Sequence, residues 1–111
     1  DRLLTYARDQ ALTAMQLEEL KGEGAPSEGQ ATVAELLNRF NIQVDKALDQ
    51  ISETPETILT DIRYVGRSRI PSTVAGLLFH AAEHTMRHTG QLLVTARVLM
   101  GAAASGNPYE Q

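Results

Sequence analysis

Beyond Pro71 the chain runs to about Met100 without another proline, and the centre of that run, LLFHAAEHTMRHTGQLLVTARVL, is an apolar stretch in helical rhythm. It carries all 3 histidines of the sequence, His80, His84 and His88. The pattern predicts one long helix, and a step of four residues turns a helix by about 400°, so each imidazole stands almost directly above the one before. With His84 as origin and about 100° per residue, Leu77, Gln91 and Thr95 lie within about 20° of it. Val74, Ala81, His88, Leu92 and Leu99 fill the adjoining arc. His84 and His88 are therefore expected at the centre of the buried face. His80 falls nearer its edge, beside Val98, and Glu83, Arg87 and Arg97 fall outside the stripe as solvent-facing charges.

A second amphipathic helix precedes this one. Thr32 with Glu35 three residues on has the form of a capping box. Val33, Leu36, Leu37, Phe40, Val44, Ala47, Leu48 and Ile51 then recur on one face, with Asn38, Arg39, Asn41, Asp45, Lys46 and Asp49 mostly opposite. The pattern predicts a bundle helix that buries one stripe against neighbours and ends at Thr54-Pro55. Thr13-Ala-Met-Gln16 opens a shorter helix to about Lys21 in the same way, and Gly22-Glu-Gly-Ala-Pro26 breaks it. Asp1 to about Gln10 reads as the tail of a helix with no capping segment before it, as if the chain were cut through that helix. A segment upstream of Asp1 is expected on this ground.

From Pro55 to Pro71 the reading is irregular, with almost no strand signal and Gly66 in the middle of Tyr64-Val-Gly-Arg-Ser-Arg69. Arg63, Arg67 and Arg69 offer charge for an anionic ligand but read more simply as a solvated basic loop, and no chemistry is assigned to them. Ser72 is the expected N-cap of the last helix, and residues 102–111 are expected to form a flexible tail. A chain of 111 residues, 42% hydrophobic, is large enough for one core, so a single all-α domain over 1–111 is expected.

Composition removes several function classes. Ten Lys and Arg against 14 Asp and Glu leave a net charge of −4, without the basic surface that phosphate backbones require, so nucleic acid is not an expected partner. No apolar run reaches the roughly 20 residues that span a bilayer, and no signal pattern opens the chain. A cytoplasmic protein is the default expectation. The sequence has no Cys, which excludes disulfides, thiolate zinc sites and cysteine nucleophiles within this chain.

A buried imidazole is costly unless its nitrogens are bonded. An isolated histidine on an apolar face is most simply a satisfied core residue, whereas two at i and i+4 can converge on one ion at about 2.0–2.1 Å. Spacing alone leaves both readings open. His80 and His88 are separated by about 12 Å along the axis, so one pair binds and the third ring does something else. Glu83 precedes His84 and no acid lies between His84 and His88, so the H-E-x-x-H peptidase motif is absent.

The run Gly76-Leu-Leu-Phe-His80-Ala-Ala-Glu-His84-Thr-Met-Arg-His88-Thr-Gly90-Gln91-Leu-Leu resembles the last-helix signature of DinB-like (YfiT-like) proteins. In that signature a His, three intervening residues, a second His and a Gly-Gln step recur. The likeness extends more loosely over Val65-Gly-Arg67, Ser72-Thr-Val74 and Ala34-Glu-Leu-Leu37. It implies an up-down-down-up four-helix bundle, here N-terminally truncated to about three helices and open to completion by self-association. It also implies one divalent ion, zinc or nickel, held by three histidines. Two of those ligands map onto His84 and His88. The third comes from the family's second helix, and this chain has no histidine before His80, which places the missing ligand upstream of Asp1. A site with two His ligands binds metal weakly or recruits water, Asp1 or a second chain. His80 stands behind the ligands or at the rim of the site, Gly90 admits a neighbouring helix, and Gln91 holds a ligand ring or bound water.

The resemblance further implies use of the metal to activate a low-molecular-weight thiol, such as bacillithiol, mycothiol or glutathione, toward an electrophile. A cation with open positions lowers the pKa of a coordinated thiol, and a Cys-free protein supplies only the platform. A metal-dependent thiol S-transferase-like protein is the leading expectation. A hydrolase that activates water at the same site is an alternative. Another is a non-enzymatic helical dimerisation or binding module whose histidines are packed polar residues, with a homodimer the expected assembly because self-association supplies the missing layer.

Overall fold

The computed structural model of the protein describes residues 1–24, 29 and 31–104. The elements in chain order are α1 (Arg2–Ala7), α2 (Ala14–Gly22), α3 (Val33–Glu53), a 3₁₀ turn (Glu56–Ile58), β1 (Ile62–Val65), β2 (Ile70–Thr73) and α4 (Val74–Ala104). The protein is thus mostly helical, with one small antiparallel hairpin. The described residues form two units, Asp1–Phe79 and the part of α4 from His80 onward. No described helix is long and apolar enough to cross a membrane.

Helix α1 ends in a Schellman motif. Arg8 is the C-cap, Asp9 adopts the left-handed conformation with φ +59°, and the Asp9 and Gln10 N–H groups donate to Tyr6 O at 2.9 Å and Thr5 O at 3.2 Å. The expected capping box opens α2: Gln16 N donates to Thr13 Oγ1 at 3.2 Å and Thr13 N to Gln16 Oε1 at 2.9 Å. The same Gln16 is buried, and its Nε2 donates to Thr5 Oγ1 at 2.8 Å and to Asp1 Oδ2 at 2.7 Å, tying α2 to α1.

Thr32 and Glu35 close the second capping box at the head of α3, with Thr32 N donating to Glu35 Oε2 at 2.7 Å. At the far end Gln50 Nε2 donates to Leu4 O at 3.0 Å and Gln50 Oε1 accepts from Arg8 Nη1, anchoring α3 to α1. The apolar stripe between these ends is not buried as expected. Val44 and Ala47 are half-buried, but Val33, Leu37 and Leu48 remain 74%, 56% and 59% exposed. The periodicity marks a face that prefers to leave water, and within the Asp1–Phe79 unit much of it stays exposed.

The stretch expected to be irregular contains the hairpin. β1 and β2 pair antiparallel with Ile62 opposite Thr73 and Val65 opposite Ile70. Gly66, at φ +68°, and Arg69, at φ +48°, shape the connecting turn, closed by Arg69 N–H to Gly66 O at 3.1 Å. Four-residue strands are too short for period-2 alternation to register, and Pro71 reads as a breaker, although a two-stranded hairpin has edges on which proline is tolerated. Arg63 is structural here: its Nε donates to Ala7 O at 3.1 Å and its Nη1 to Ile62 O at 3.0 Å.

The head of α4 is capped by the residue after the expected one. Thr73 Oγ1 accepts from Gly76 N at 3.0 Å, while Ser72 lies in β2 opposite Arg63. Val74 N and Ala75 N donate to Asp61 O at 3.1 Å and Leu59 O at 2.9 Å, so the first free donors of the helix are satisfied from the preceding chain. Gly76 permits this tight start, because a Cβ there would lie 2.9 Å from Ser72 Oγ. Val74 and Leu77 are buried, as are Leu4 and Ala7, and these four make up the apolar core. Burial of each larger side chain contributes about 2 kcal/mol. Helix α4 continues through Gly101 to Ala104 rather than fraying at Gly101, and the rest of the expected tail lies outside the described residues.

Candidate functional site

The histidines stand on α4 as the four-residue spacing requires, and two of them converge. His84 Nε2 and His88 Nε2 are 3.0 Å apart, with ring centroids 4.4 Å apart and planes near perpendicular at 79°. Gln91 Oε1 lies 2.8 Å from His88 Nδ1. A carbonyl oxygen only accepts, so it draws the proton to Nδ1 and leaves the lone pair on His88 Nε2, the atom that faces His84. That lone pair either takes an N–H from His84 or shares a cation with it.

His80 turns to other partners. Its ring centroid is 5.7 Å from that of His84, and its Nδ1 is 3.1 Å from Glu83 Oε2, whose other oxygen pairs with Arg87. The Arg87 hydrogen bond, foremost, holds the Glu83 carboxyl below the usual carboxylate range. The helical projection gives Glu83 and Arg87 only as solvent-facing charges, although their i+3 and i+4 offsets also signal this ladder.

The expected burial of the pair is corrected: His84 and His88 are both exposed. Helical projection identifies the apolar side of α4, but only packing decides whether that side is covered. Gly90 likewise shows no close neighbour, since a Cβ there would meet no heavy atom within 4 Å among the described residues. Asp1, a possible extra ligand, has Oδ2 engaged by Gln16.

Two imidazole nitrogens are donors of the type a divalent ion takes, and their 3.0 Å separation is equally that of a hydrogen bond. Among the described residues no group of three or more His, Cys, Asp or Glu side chains is placed to hold a metal ion.

The model of the DinB superfamily matches residues 2–92. This chain belongs to the DinB superfamily. The matched DinB region includes His80, His84, His88 and Gln91, and stops at Leu92, so the last turns of α4 lie beyond it. The mostly helical fold agrees with that membership. No match was found among curated proteins or among solved structures.

Proposed function

We propose that this DinB-superfamily chain binds a divalent metal, zinc or nickel, through His84 and His88, and serves a thiol S-transferase-like reaction. The 3.0 Å approach of the two Nε2 atoms, with Gln91 on the outer nitrogen of His88, is the observation that carries this reading. When bound, a divalent cation supplies the Lewis acidity that lowers the pKa of a thiol and makes it nucleophilic at neutral pH. His84 and His88 contribute neutral imidazole donors, and Gln91 keeps the His88 lone pair on the inner nitrogen. With no Cys in the sequence, no thiolate of the chain competes, and the sulfur belongs to a small-molecule thiol such as bacillithiol, mycothiol or glutathione. Exposure of the pair leaves room for that thiol and its electrophile. Water in place of the thiol makes the same site hydrolytic.

Metal analysis of tag-free protein tests the first half. The wild type is expected to carry zinc or nickel, and the His84→Ala/His88→Ala double variant to lose it with its helix content unchanged. Equal metal content in the two proteins overturns the site. Thiol consumption with bacillithiol, mycothiol or glutathione and an aryl halide then separates transferase from hydrolase.

A second reading, a non-enzymatic module that dimerises, is favoured by one observation. The α3 stripe exposes Val33, Leu36, Leu37, Phe40, Leu48 and Ile51 on one face, the kind of contiguous apolar patch that marks an interaction surface. A second copy offers a matching stripe, and an isologous α3 pair removes both from solvent.

A further inference from the structure

A groove of about 400 Å³ lies between the turn that closes α1 and the turn of the hairpin, bordered by Tyr6, Asp9, Leu12, Tyr64, Arg67 and Arg69. Three independent features meet there. First, Asp9 and Arg69 are the two non-glycine residues with positive φ among the described residues, and both border this groove. Left-handed backbone is adopted most cheaply by glycine, and the Schellman position of Asp9 ordinarily takes it. Neither turn needs a charged side chain for its own geometry, and residues held in such conformations gather at ligand clamps.

Second, Arg67 and Arg69 form no ion pair with a carboxylate among the described residues, in a chain whose net charge is −4. The neighbouring Arg63, by contrast, is consumed by Ala7 O and Ile62 O. Third, the Arg69 guanidinium lies 4.3 Å over the Tyr64 ring. Stacking holds a guanidinium by its face and leaves its N–H edges to donate outward.

We propose that this groove binds a small zwitterion. Arg67 and Arg69 take its oxyanion, a carboxylate or a phosphate, by paired N–H donation, and Asp9 takes its protonated amine. Leu12 and the tyrosine rings receive the short carbon linker between them. This site is independent of the histidine pair, and the fate of either proposal leaves the other standing.

The test is an amide-resolved NMR titration of the full chain with β-alanine and, separately, O-phosphoethanolamine, to tell carboxylate from phosphate. Inorganic phosphate and ethanolamine serve as single-ended controls. At least one zwitterion is expected to give saturable shifts at Asp9 and residues 66–69, and to bind at least tenfold more tightly than either control. Arg69→Gln and Asp9→Asn, the latter retaining a residue that tolerates left-handed backbone, are each expected to weaken it about tenfold or more. Asp9→Gly is expected to raise Tm while weakening the ligand, a pair of opposite changes that a purely structural Asp9 would not produce. Absence of saturable shifts, controls that bind as well as both zwitterions, or unchanged affinity in Asp9→Asn overturns the proposal.

Discussion

Gln91 Oε1 sits 2.8 Å from His88 Nδ1, one turn of α4 beyond the nitrogen that meets His84. The contact makes Gln91 the group that sets the His88 tautomer. On the proposed metal reading, replacing it with Leu is expected to lower zinc or nickel affinity by about 10- to 100-fold, the usual effect of removing such a partner. Gln91→Glu is expected to retain affinity, because a carboxylate accepts the same proton. Chelator competition measures both, and an unchanged affinity in Gln91→Leu would assign the contact to local helix packing alone.

Gln16 joins α1 and α2 from a buried position with three hydrogen bonds. Gln16→Leu removes the bonds to Asp1, Thr5 and Thr13, while Thr5 Oγ1 keeps Asp1 O and Arg8 Nη2 and Thr13 is exposed, so the expected loss is about 1 kcal/mol, that of ordinary hydrogen bonds rather than of stranded buried groups. Urea unfolding monitored by circular dichroism gives the number. A change within a few tenths of a kcal/mol would mean that water replaces the amide without penalty.

Capping at the head of α4 separates two adjacent hydroxyls. Thr73→Ala removes the acceptor for Gly76 N and is expected to destabilise the protein by about 1 kcal/mol. Ser72→Ala is expected to change stability by no more than a few tenths, since its hydroxyl caps nothing. The reverse order in thermal denaturation would return the cap to Ser72.

The Glu35 carboxyl is held below its ordinary range by hydrogen bonds from the Thr32 backbone N–H and then the Thr32 hydroxyl. A carboxyl with a depressed folded-state pKa stabilises the fold above its unfolded pKa, and that stabilisation is lost as pH falls through the folded value. Chemical shifts at the start of α3 are therefore expected to move toward coil only as pH falls below the range in which an ordinary glutamate titrates. In Glu35→Gln the carboxyl titration is gone, and the acid-induced change at Thr32 and Glu35→Gln amides should go with it.

If α3 pairs with a second copy, a charge in its stripe breaks the pair. Leu37→Lys is expected to shift sedimentation from dimer to monomer at micromolar concentration, while Asp45→Lys on the polar face leaves it unchanged. A wild-type protein that sediments as a monomer throughout that range removes this interface.

The parts legible in the sequence are those closed within about one helical turn. Thr13 reaches Gln16 and Thr32 reaches Glu35 by hydrogen bonds three residues long, and the approach of His84 to His88 follows from helical rise and twist. The DinB signature around those histidines was readable for the same reason. The hairpin was not, because its pairing joins Ile62 to Thr73 across a turn and depends on contacts that no local pattern records.

The sequence by itself determined where the helices run, which face of each is apolar, and that two imidazoles share one side of α4, since backbone geometry and short-range hydrogen bonds suffice for these. Only the tertiary structure decided that Thr73 rather than Ser72 caps α4, that most of the α3 stripe and the histidine pair are exposed, and that Asp9, Arg67 and Arg69 border one groove. Each of those outcomes depends on which distant segments arrive beside a residue, and periodicity reports a side chain's direction without reporting what, if anything, stands opposite it.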